Sequence, residues 1–175
     1  MRVMKVGLIL VVVVIFAAVP ARAQTWYYGG GLDSVSLGGD FSLDDAIGLA
    51  INGGYNFSPT IALDMVLGFI THDVSSGGYD VDYARFSIGP KIVFGGSTIK
   101  PWATAGLMSN SLEDEFGIEE VDGTGLFLGL GADISVGTGS ISIGYRFSEW
   151  DADSNFGGSF DGETDVLSVY YVFQP

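Results

Sequence analysis

Apolar residues recur at every second position through most of the chain, and the clearest run covers residues 126–136. One face of that run consists of Leu126, Leu128, Leu130, Ala132, Ile134 and Val136. The other face is small or polar and consists of Phe127, Gly129, Gly131, Asp133 and Ser135. A period of two indicates a β-strand. A small, polar second face favours a narrow lumen, with the apolar face turned toward lipid.

Seven further segments show the same alternation, and no segment after residue 24 has a convincing helical period. They cover residues 26–37, 46–57, 61–71, 83–94, 99–108, 140–148 and 167–173. Most approach the ~9–11 residues that a tilted membrane-spanning strand needs. The first segment is rich in glycine, so its facing is ambiguous. The pattern predicts an all-β fold, an eight-stranded antiparallel up-and-down transmembrane β-barrel.

The connections between these segments alternate in length. Short connections are predicted at 56–60, 95–97 and 137–139, and long ones at 33–45, 72–82, 110–122 and 149–165. The long connections contain 19 of the 21 Asp and Glu residues, and the other two, Asp64 and Asp133, lie on predicted lumen faces. Short periplasmic turns and longer external loops are typical of outer-membrane barrels. Acidic extracellular loops and two periplasmic termini are therefore expected.

The N-terminus predicts export. A basic start is followed by an apolar run over residues 6–19 and by small residues at Ala21 and Ala23. This is the pattern of a signal peptide covering residues 1–23, which leaves a barrel domain of residues 24–175. The run is shorter than the ~20 residues of a membrane-spanning helix. Only a closed barrel could then satisfy the backbone inside a bilayer, and the expected location is the outer membrane.

Charge and cysteine content narrow the possible partners. Three of the seven Lys and Arg residues precede the predicted cleavage site, so the mature chain has four against 21 acids, a formal charge of −17. Such a chain disfavours nucleic acid. Cysteine is absent, so disulfides contribute nothing. Two prolines, Pro90 and Pro101, fall inside predicted strands, where each removes a hydrogen-bond donor. Bulges, or strand ends nearer to these prolines than the predicted bounds, are expected there.

The last predicted strand carries the most specific resemblance to a known family. Leu167, Val169, Tyr171 and Phe173 alternate along this strand, and this pattern resembles the small eight-stranded outer-membrane proteins of the OmpA/OmpX type, barrel domain only. The resemblance implies contact with outer-membrane lipid and lipopolysaccharide, and no cofactor. It also implies recognition of a terminal aromatic residue by the barrel assembly machinery. Here Gln174 and Pro175 displace that signal.

The few basic residues of the mature chain are candidates for a lumen charge network. Alternation places Arg85, Lys91 and Arg146 on lumen faces. Lys100 joins them if a two-residue hairpin at 95–96 sets it opposite Lys91. A row across four strands is then predicted: Asp64, Lys91, Lys100 and Asp133. Buried charges need partners, so we hypothesise an ionic plug. A register shifted by two, with charges solvated near the rim, is the alternative.

Two weaker candidates lie in the predicted outer loops. Asp151, Asp153, Asn155 and Glu163 begin like a calcium loop, but the glycine and the final glutamate each come one residue late. A flexible acidic loop is favoured, although acidic loops beside lipopolysaccharide could share bridging divalent cations. His72 is the only histidine and is expected at a solvated loop edge. Aromatic residues near the short-turn strand ends predict an interfacial girdle: Trp26, Tyr28, Tyr55, Phe57, Phe94, Tyr171 and Phe173.

Several functions are compatible with these patterns. The leading interpretation is a non-enzymatic envelope barrel with a structural or surface-interaction role. A narrow pore for small solutes is an alternative, although eight strands leave an interior just wide enough for side chains. A lipid-modifying enzyme is less favoured because no recognisable motif surrounds His72. A soluble periplasmic binding barrel would need the large apolar faces inside.

Overall fold

A computed structural model describes residues 25–40, 43, 45–74, 79–114, 120–154 and 157–174, which form a closed barrel of eight strands. Each strand pairs antiparallel with its neighbours in sequence, and β1 closes the barrel against β8. The strands are β1 Thr25–Gly39, β2 Ala46–Asn56, β3 Ile61–Val74, β4 Tyr79–Val93, β5 Ile99–Asp114, β6 Glu120–Val136, β7 Gly139–Ser154 and β8 Ser159–Phe173. The predicted fold class is confirmed. The predicted signal peptide lies outside the described residues.

No helix in the described part of the chain is long and apolar enough to cross a membrane.

The apolar faces of the strands point outward, as their alternation predicts. Leu128 and Leu130 are 64% and 67% exposed, and Ile143 is 41% exposed. The ambiguous first strand is also settled, because Tyr27 and Asp33 of β1 are buried in the lumen. A barrel with its large aliphatic side chains outside and its small and polar side chains inside requires a lipid surround.

The strands are longer than the alternation suggests, and the long outer loops of the prediction are wrong. β6 has 17 residues and β7 has 16, compared with ~9–11 for a membrane-spanning strand. Strand β3 ends at Val74 and β4 begins at Tyr79, whereas the predicted connection covers residues 72–82. The hairpins therefore continue as paired sheet beyond the apolar belt, where the ladder satisfies backbone groups that a loop would leave to water.

The polarity of the wall inverts where the strands leave the apolar belt. In β4, Arg85 is buried and Phe86 exposed, whereas closer to the loop Tyr83 is buried and Asp82 exposed. The described residues of 34–46, 70–83, 108–125 and 148–166 form this inverted part, which we call the collar. Its interior contains most of an apolar cluster of Val35, Leu37, Ile70, Tyr83, Met108, Leu112, Val121, Phe127, Trp150, Ala152 and Val166.

The two strand prolines are accommodated without a shift in register. The β4–β5 ladder omits Gly89 and Pro90 but continues in the same register on both sides. The hydroxyl of Thr104 donates to the Pro90 carbonyl at 3.0 Å. A bulge at Pro90 is therefore a wrong expectation. Pro101 is the third residue of β5, which begins at Ile99 as the alternation predicts, and its ladder to β6 continues through Pro101 without a break. Neither a bulge nor a nearer strand end is therefore present at Pro101.

Candidate functional site

Among the described residues, the lumen contains three buried ion pairs, and each joins strands that are not neighbours in the wall. Their closest nitrogen–oxygen distances are 2.6, 2.9 and 2.9 Å, in the order Arg85–Asp33, Lys91–Asp133 and Arg146–Asp64. The six side chains are between 0% and 12% exposed. Ions buried to this degree persist only when they are paired and further hydrogen-bonded.

The Arg146–Asp64 pair crosses the full width of the lumen. Arg146 lies on β7 and Asp64 on β3, which are on opposite walls of an eight-stranded barrel. The Asp64 carboxylate also accepts hydrogen bonds from the Tyr27 hydroxyl at 2.5 Å and the Asn52 amide at 3.1 Å. A carboxylate offers about four acceptor positions, so three donors leave Asp64 well satisfied.

A second cross-lumen pair lies nearer the collar. Arg85 on β4 donates to Asp33 on β1, and the Tyr170 hydroxyl donates to the other Asp33 oxygen at 2.5 Å. Asp33 is fully buried, although the sequence pattern assigns it to an outer loop. Its position inside β1 was missed because the glycines beside it hide the facing of that strand.

The third pair lies against an indole ring. The Lys91 ammonium contacts Asp133 and is 4.8 Å from the centroid of the Trp102 ring. The Arg146 guanidinium is 5.6 Å from the same ring. Cations over an indole face are attracted by its quadrupole, so Trp102 helps to hold both positive charges in the lumen.

The predicted charge row is only partly present. Lys100 and Asp133 are opposite each other, as the row requires, but Lys91 lies opposite Thr104 and not opposite Lys100. The hairpin turns at residues 97–98, because the Phe94 amide donates to the Pro101 carbonyl at 2.8 Å. The partner of Lys91 therefore moves by four residues, which preserves its lumen facing and changes its neighbour.

Glycines on adjacent strands make space for the lumen aromatics. Trp102 lies across Gly131 and Gly144, where an added Cβ would fall 2.4 and 2.5 Å from its ring atoms. Tyr27 lies across Gly54 in the same way, with an added Cβ 2.4 Å from its hydroxyl. These approaches let Tyr27 and Trp102 lie flat along the wall and reach the charged groups.

The outer face of the collar is acidic. Among the residues whose burial the structure describes, four carboxylate pairs stand directly opposite each other on neighbouring strands, and all eight side chains are exposed. In such pairs the Cβ atoms are about 4.5–5.5 Å apart and like charges repel. The pairs are Asp82–Glu113, Asp122–Asp153, Asp151–Asp161 and Glu149–Glu163. The four Lys and Arg residues after residue 24 all face the lumen, so none balances these acids.

Among the residues that the structure places, the weak calcium-loop candidate lies in an extended hairpin. Asp151 and Asp153 lie on the outer face of β7, and Glu163 lies on β8 opposite Glu149. An extended hairpin spreads such side chains along a ladder, whereas a calcium loop must curl around the ion. No group of three or more potential metal ligands occurs in the described ranges. Asn155 lies outside them.

His72 is buried, so the predicted solvated position is wrong. It lies on the lumen side of β3 at 0% exposure, with its ring 6.0 Å from that of Tyr83 in a T-shaped contact. Ser75 and Ser76, which follow His72 by three and four residues in the sequence, lie outside the described residues.

Aromatic rings cluster on the outer surface near the short turns. Tyr55 contacts Trp26 and Phe57 at centroid distances of 5.0 and 4.9 Å. Phe173 contacts Tyr28 and Tyr171 at 5.9 and 4.7 Å. Aromatic rings at this level are typical of a membrane–water interface.

Comparisons with known proteins agree with this architecture. Residues 8–173 match the family described as outer membrane protein beta-barrel domain. Neisserial surface protein A is 14% identical with a TM-score of 0.71, over 87% of this chain and 99% of that one. Ail of Yersinia pestis, in complex with the heparin analogue sucrose octasulfate, is 17% identical with a TM-score of 0.58, over 86% and 99%. No curated protein sequence matches significantly.

Proposed function

The chain belongs to the outer membrane protein β-barrel family, and on that premise we propose that it is a non-enzymatic surface barrel whose collar binds a cationic partner. The observation that carries this proposal is the charge of the collar's outer face. Four directly opposed pairs of carboxylates that are described as exposed lie there, and every Lys and Arg after residue 24 faces the lumen. A field of one sign over a wide surface attracts partners of the opposite sign and speeds their association.

The collar presents these acids on a rigid support. Trp150 and Leu112 pack inside it, and the Trp150 indole donates to Thr164 at 2.9 Å. Strands paired around such a core lose little conformational freedom when a partner binds, and this lowers the cost of association.

The charge of the collar does not suit the kind of ligand that is bound in the structure of one neighbour. The Ail structure holds a sulfated, anionic ligand. On the collar of the present chain an anionic ligand of that kind would meet carboxylates with no balancing cation on the same face. We therefore propose a basic protein or peptide as the partner.

The experiment uses the barrel in lipid nanodiscs and oligolysine as the probe. Neutralising Glu149, Asp151 and Glu163 to Gln, Asn and Gln should weaken binding by about ten-fold or more, because several attractive charges are lost together. Binding to the wild-type barrel should fall steeply with salt, since exposed charges are screened. The control changes Ser109 and Ser111 to Ala on the same face. Equal affinity of the acidic-to-neutral variant and the wild type would contradict the proposal.

The same acid pairs favour a second, structural role beside lipopolysaccharide. Divalent cations shared between the collar and anionic lipid would relieve the repulsion within the pairs. In lipopolysaccharide vesicles, calcium should then protect the collar against protease and a chelator should remove that protection. Protection that is indifferent to calcium would argue against this role.

The proposal of a non-enzymatic role also has a direct test. His72 lies buried beside Tyr83 and away from the outer surface, where a lipid substrate would be. A His72→Ala variant should leave the structure of lipid A unchanged in mass spectra, and altered lipid A would contradict this role.

A further inference from the structure

A polar cavity of about 210 Å³ opens at the short-turn end of the lumen, which faces the periplasm in outer-membrane barrels. It lies beside the turn between β6 and β7. The lining groups that matter are the ammonium of Lys100, the carboxylate of Asp133 and the hydroxyls of Ser135 and Ser140. Gln174 also lines the cavity.

Two buried atoms of this lining have no hydrogen-bond partner. They are the Oδ1 atom of Asp133 and the Oγ atom of Ser140, on residues that are 8% and 7% exposed. The other carboxylate oxygen of Asp133 already binds Lys91 at 2.9 Å. Buried polar atoms are nearly always hydrogen-bonded, so these two point to a bound polar group.

Lys100 is the excess cation of the lumen. Among the described residues, the charged side chains that face the lumen are the cations Arg85, Lys91, Lys100 and Arg146 and the carboxylates Asp33, Asp64 and Asp133. The three ion pairs among the described residues use every one of these groups except Lys100. Lys100 lies directly opposite Asp133 on the neighbouring strand, and both residues line the same cavity.

We propose that this cavity binds a small zwitterion. The anionic group, a carboxylate or a phosphodiester, lies against Lys100 and accepts from the Ser140 hydroxyl. The ammonium group donates to Oδ1 of Asp133. A simple anion would leave that Asp133 oxygen facing a like charge, and a simple cation would be repelled by Lys100. Free amino acids and the ethanolamine headgroup of a phospholipid share the required chemistry.

The test is an NMR titration of the full barrel domain, residues 24–175, in an uncharged maltoside detergent. The probes are glycine, glycerophosphoethanolamine, acetate and methylammonium. At least one zwitterion should give saturable amide shifts around Lys100, Asp133 and Ser140. It should bind about ten-fold or more tightly than acetate or methylammonium, because charge-assisted hydrogen bonds form at both ends. The tighter of the two zwitterions identifies the source, and either result supports the site.

Two serines of one strand provide a matched pair of variants. Ser140→Ala should weaken zwitterion binding about five-fold, the effect of one hydrogen bond. Ser142 lies on the same face of β7 but is not among the residues that line the cavity, so Ser142→Ala should leave zwitterion binding unchanged. Lys100→Gln should weaken binding by about ten-fold or more without disturbing any of the three ion pairs. Amide dispersion in each spectrum shows that the variant is folded.

Three outcomes would overturn the proposal. Acetate binding as tightly as glycine or glycerophosphoethanolamine would show a plain anion site. No saturable shift with any probe would show that the cavity holds water alone. Equal effects of Ser140→Ala and Ser142→Ala would place the binding elsewhere in the barrel.

Discussion

Gly144 provides the space that the Trp102 indole occupies, so a methyl group added at this position should disturb the contacts of the indole inside the lumen. In a Gly144→Ala variant the new Cβ would lie 2.5 Å from two ring carbons of Trp102. The indole must then shift from its present position against Lys91 and Arg146. We expect the free energy of unfolding to fall by about 1–3 kcal/mol, as for overpacked cores, measured by urea titration in lipid vesicles.

A second glycine supplies the control for that measurement. Gly53→Ala adds a methyl on the outer face, where the nearest atom is the Tyr27 carbonyl oxygen at 3.5 Å. Its effect should stay within about 0.5 kcal/mol, as for most surface substitutions. If both alanine variants lose the same stability, the close fit between Trp102 and Gly144 is not the cause.

The Arg146–Asp64 pair allows a second prediction for single residues. Asp64→Asn leaves a buried guanidinium without its counter-ion and should lower the free energy of unfolding by about 3–5 kcal/mol. The double variant Asp64→Leu with Arg146→Met removes both charges and should recover most of that loss. Heat-modifiable gel migration and urea titration both report the result. A double variant no more stable than Asp64→Asn would contradict the coupling.

At the scale of the strand, the face of each residue could be predicted, whereas its contacts across the lumen could not. Alternation alone places Asp64, Lys91 and Arg146 inside, since the side-chain period of a strand is two. Neighbouring-strand register then pairs Lys100 with Asp133. The real partner of Asp64 is on the opposite wall, 82 residues away in sequence. No local pattern encodes that distance, because it depends on the closed circumference.

The collar, by contrast, has a signal in the sequence that the long-loop interpretation overlooked. In residues 80–86 the apolar positions change parity, from Val81 and Tyr83 to Ala84 and Phe86. Where a strand passes from water into lipid, its apolar residues must change from the inner face to the outer face. In water apolar side chains are stabilised inside the barrel, whereas in the membrane they are stabilised on its outer surface, against lipid. Acids at alternate positions in 149–153 and 161–165 repeat the signal.

The opposed acids of the hairpin between β7 and β8 give a prediction at the same scale. Glu149 and Glu163 are exposed and directly opposite, so Glu149→Lys replaces repulsion with attraction. We expect a higher melting temperature at low salt and a smaller gain at high salt, because screening weakens both interactions. Glu149→Gln should give an intermediate gain. A gain that is independent of salt would show that packing, and not charge, is responsible.

For the molecule as a whole, two barriers lie in series along the lumen. The ion pairs bridge the walls through the part surrounded by the apolar belt, and the collar above them is filled with apolar side chains. An ion crossing the barrel would need to disrupt the ion pairs of the first barrier and to lose its hydration in the apolar interior of the second. Because the resistances of two barriers in series add, removing one barrier leaves the conductance limited by the other.

This arrangement predicts how conductance in planar bilayers should respond to substitution. The wild-type barrel should not conduct, and Asp64→Ala with Arg146→Ala should stay closed because Phe127 and Trp150 still fill the upper lumen. Adding Phe127→Ala and Trp150→Ala to that pair should produce small, steady currents, since a wetted path then runs through both barriers. Leu130→Ala on the lipid face is the control for barrel integrity. Steady current through the wild type would show that the lumen is a pore, and current through the charge-free pair alone would show that the collar does not seal it.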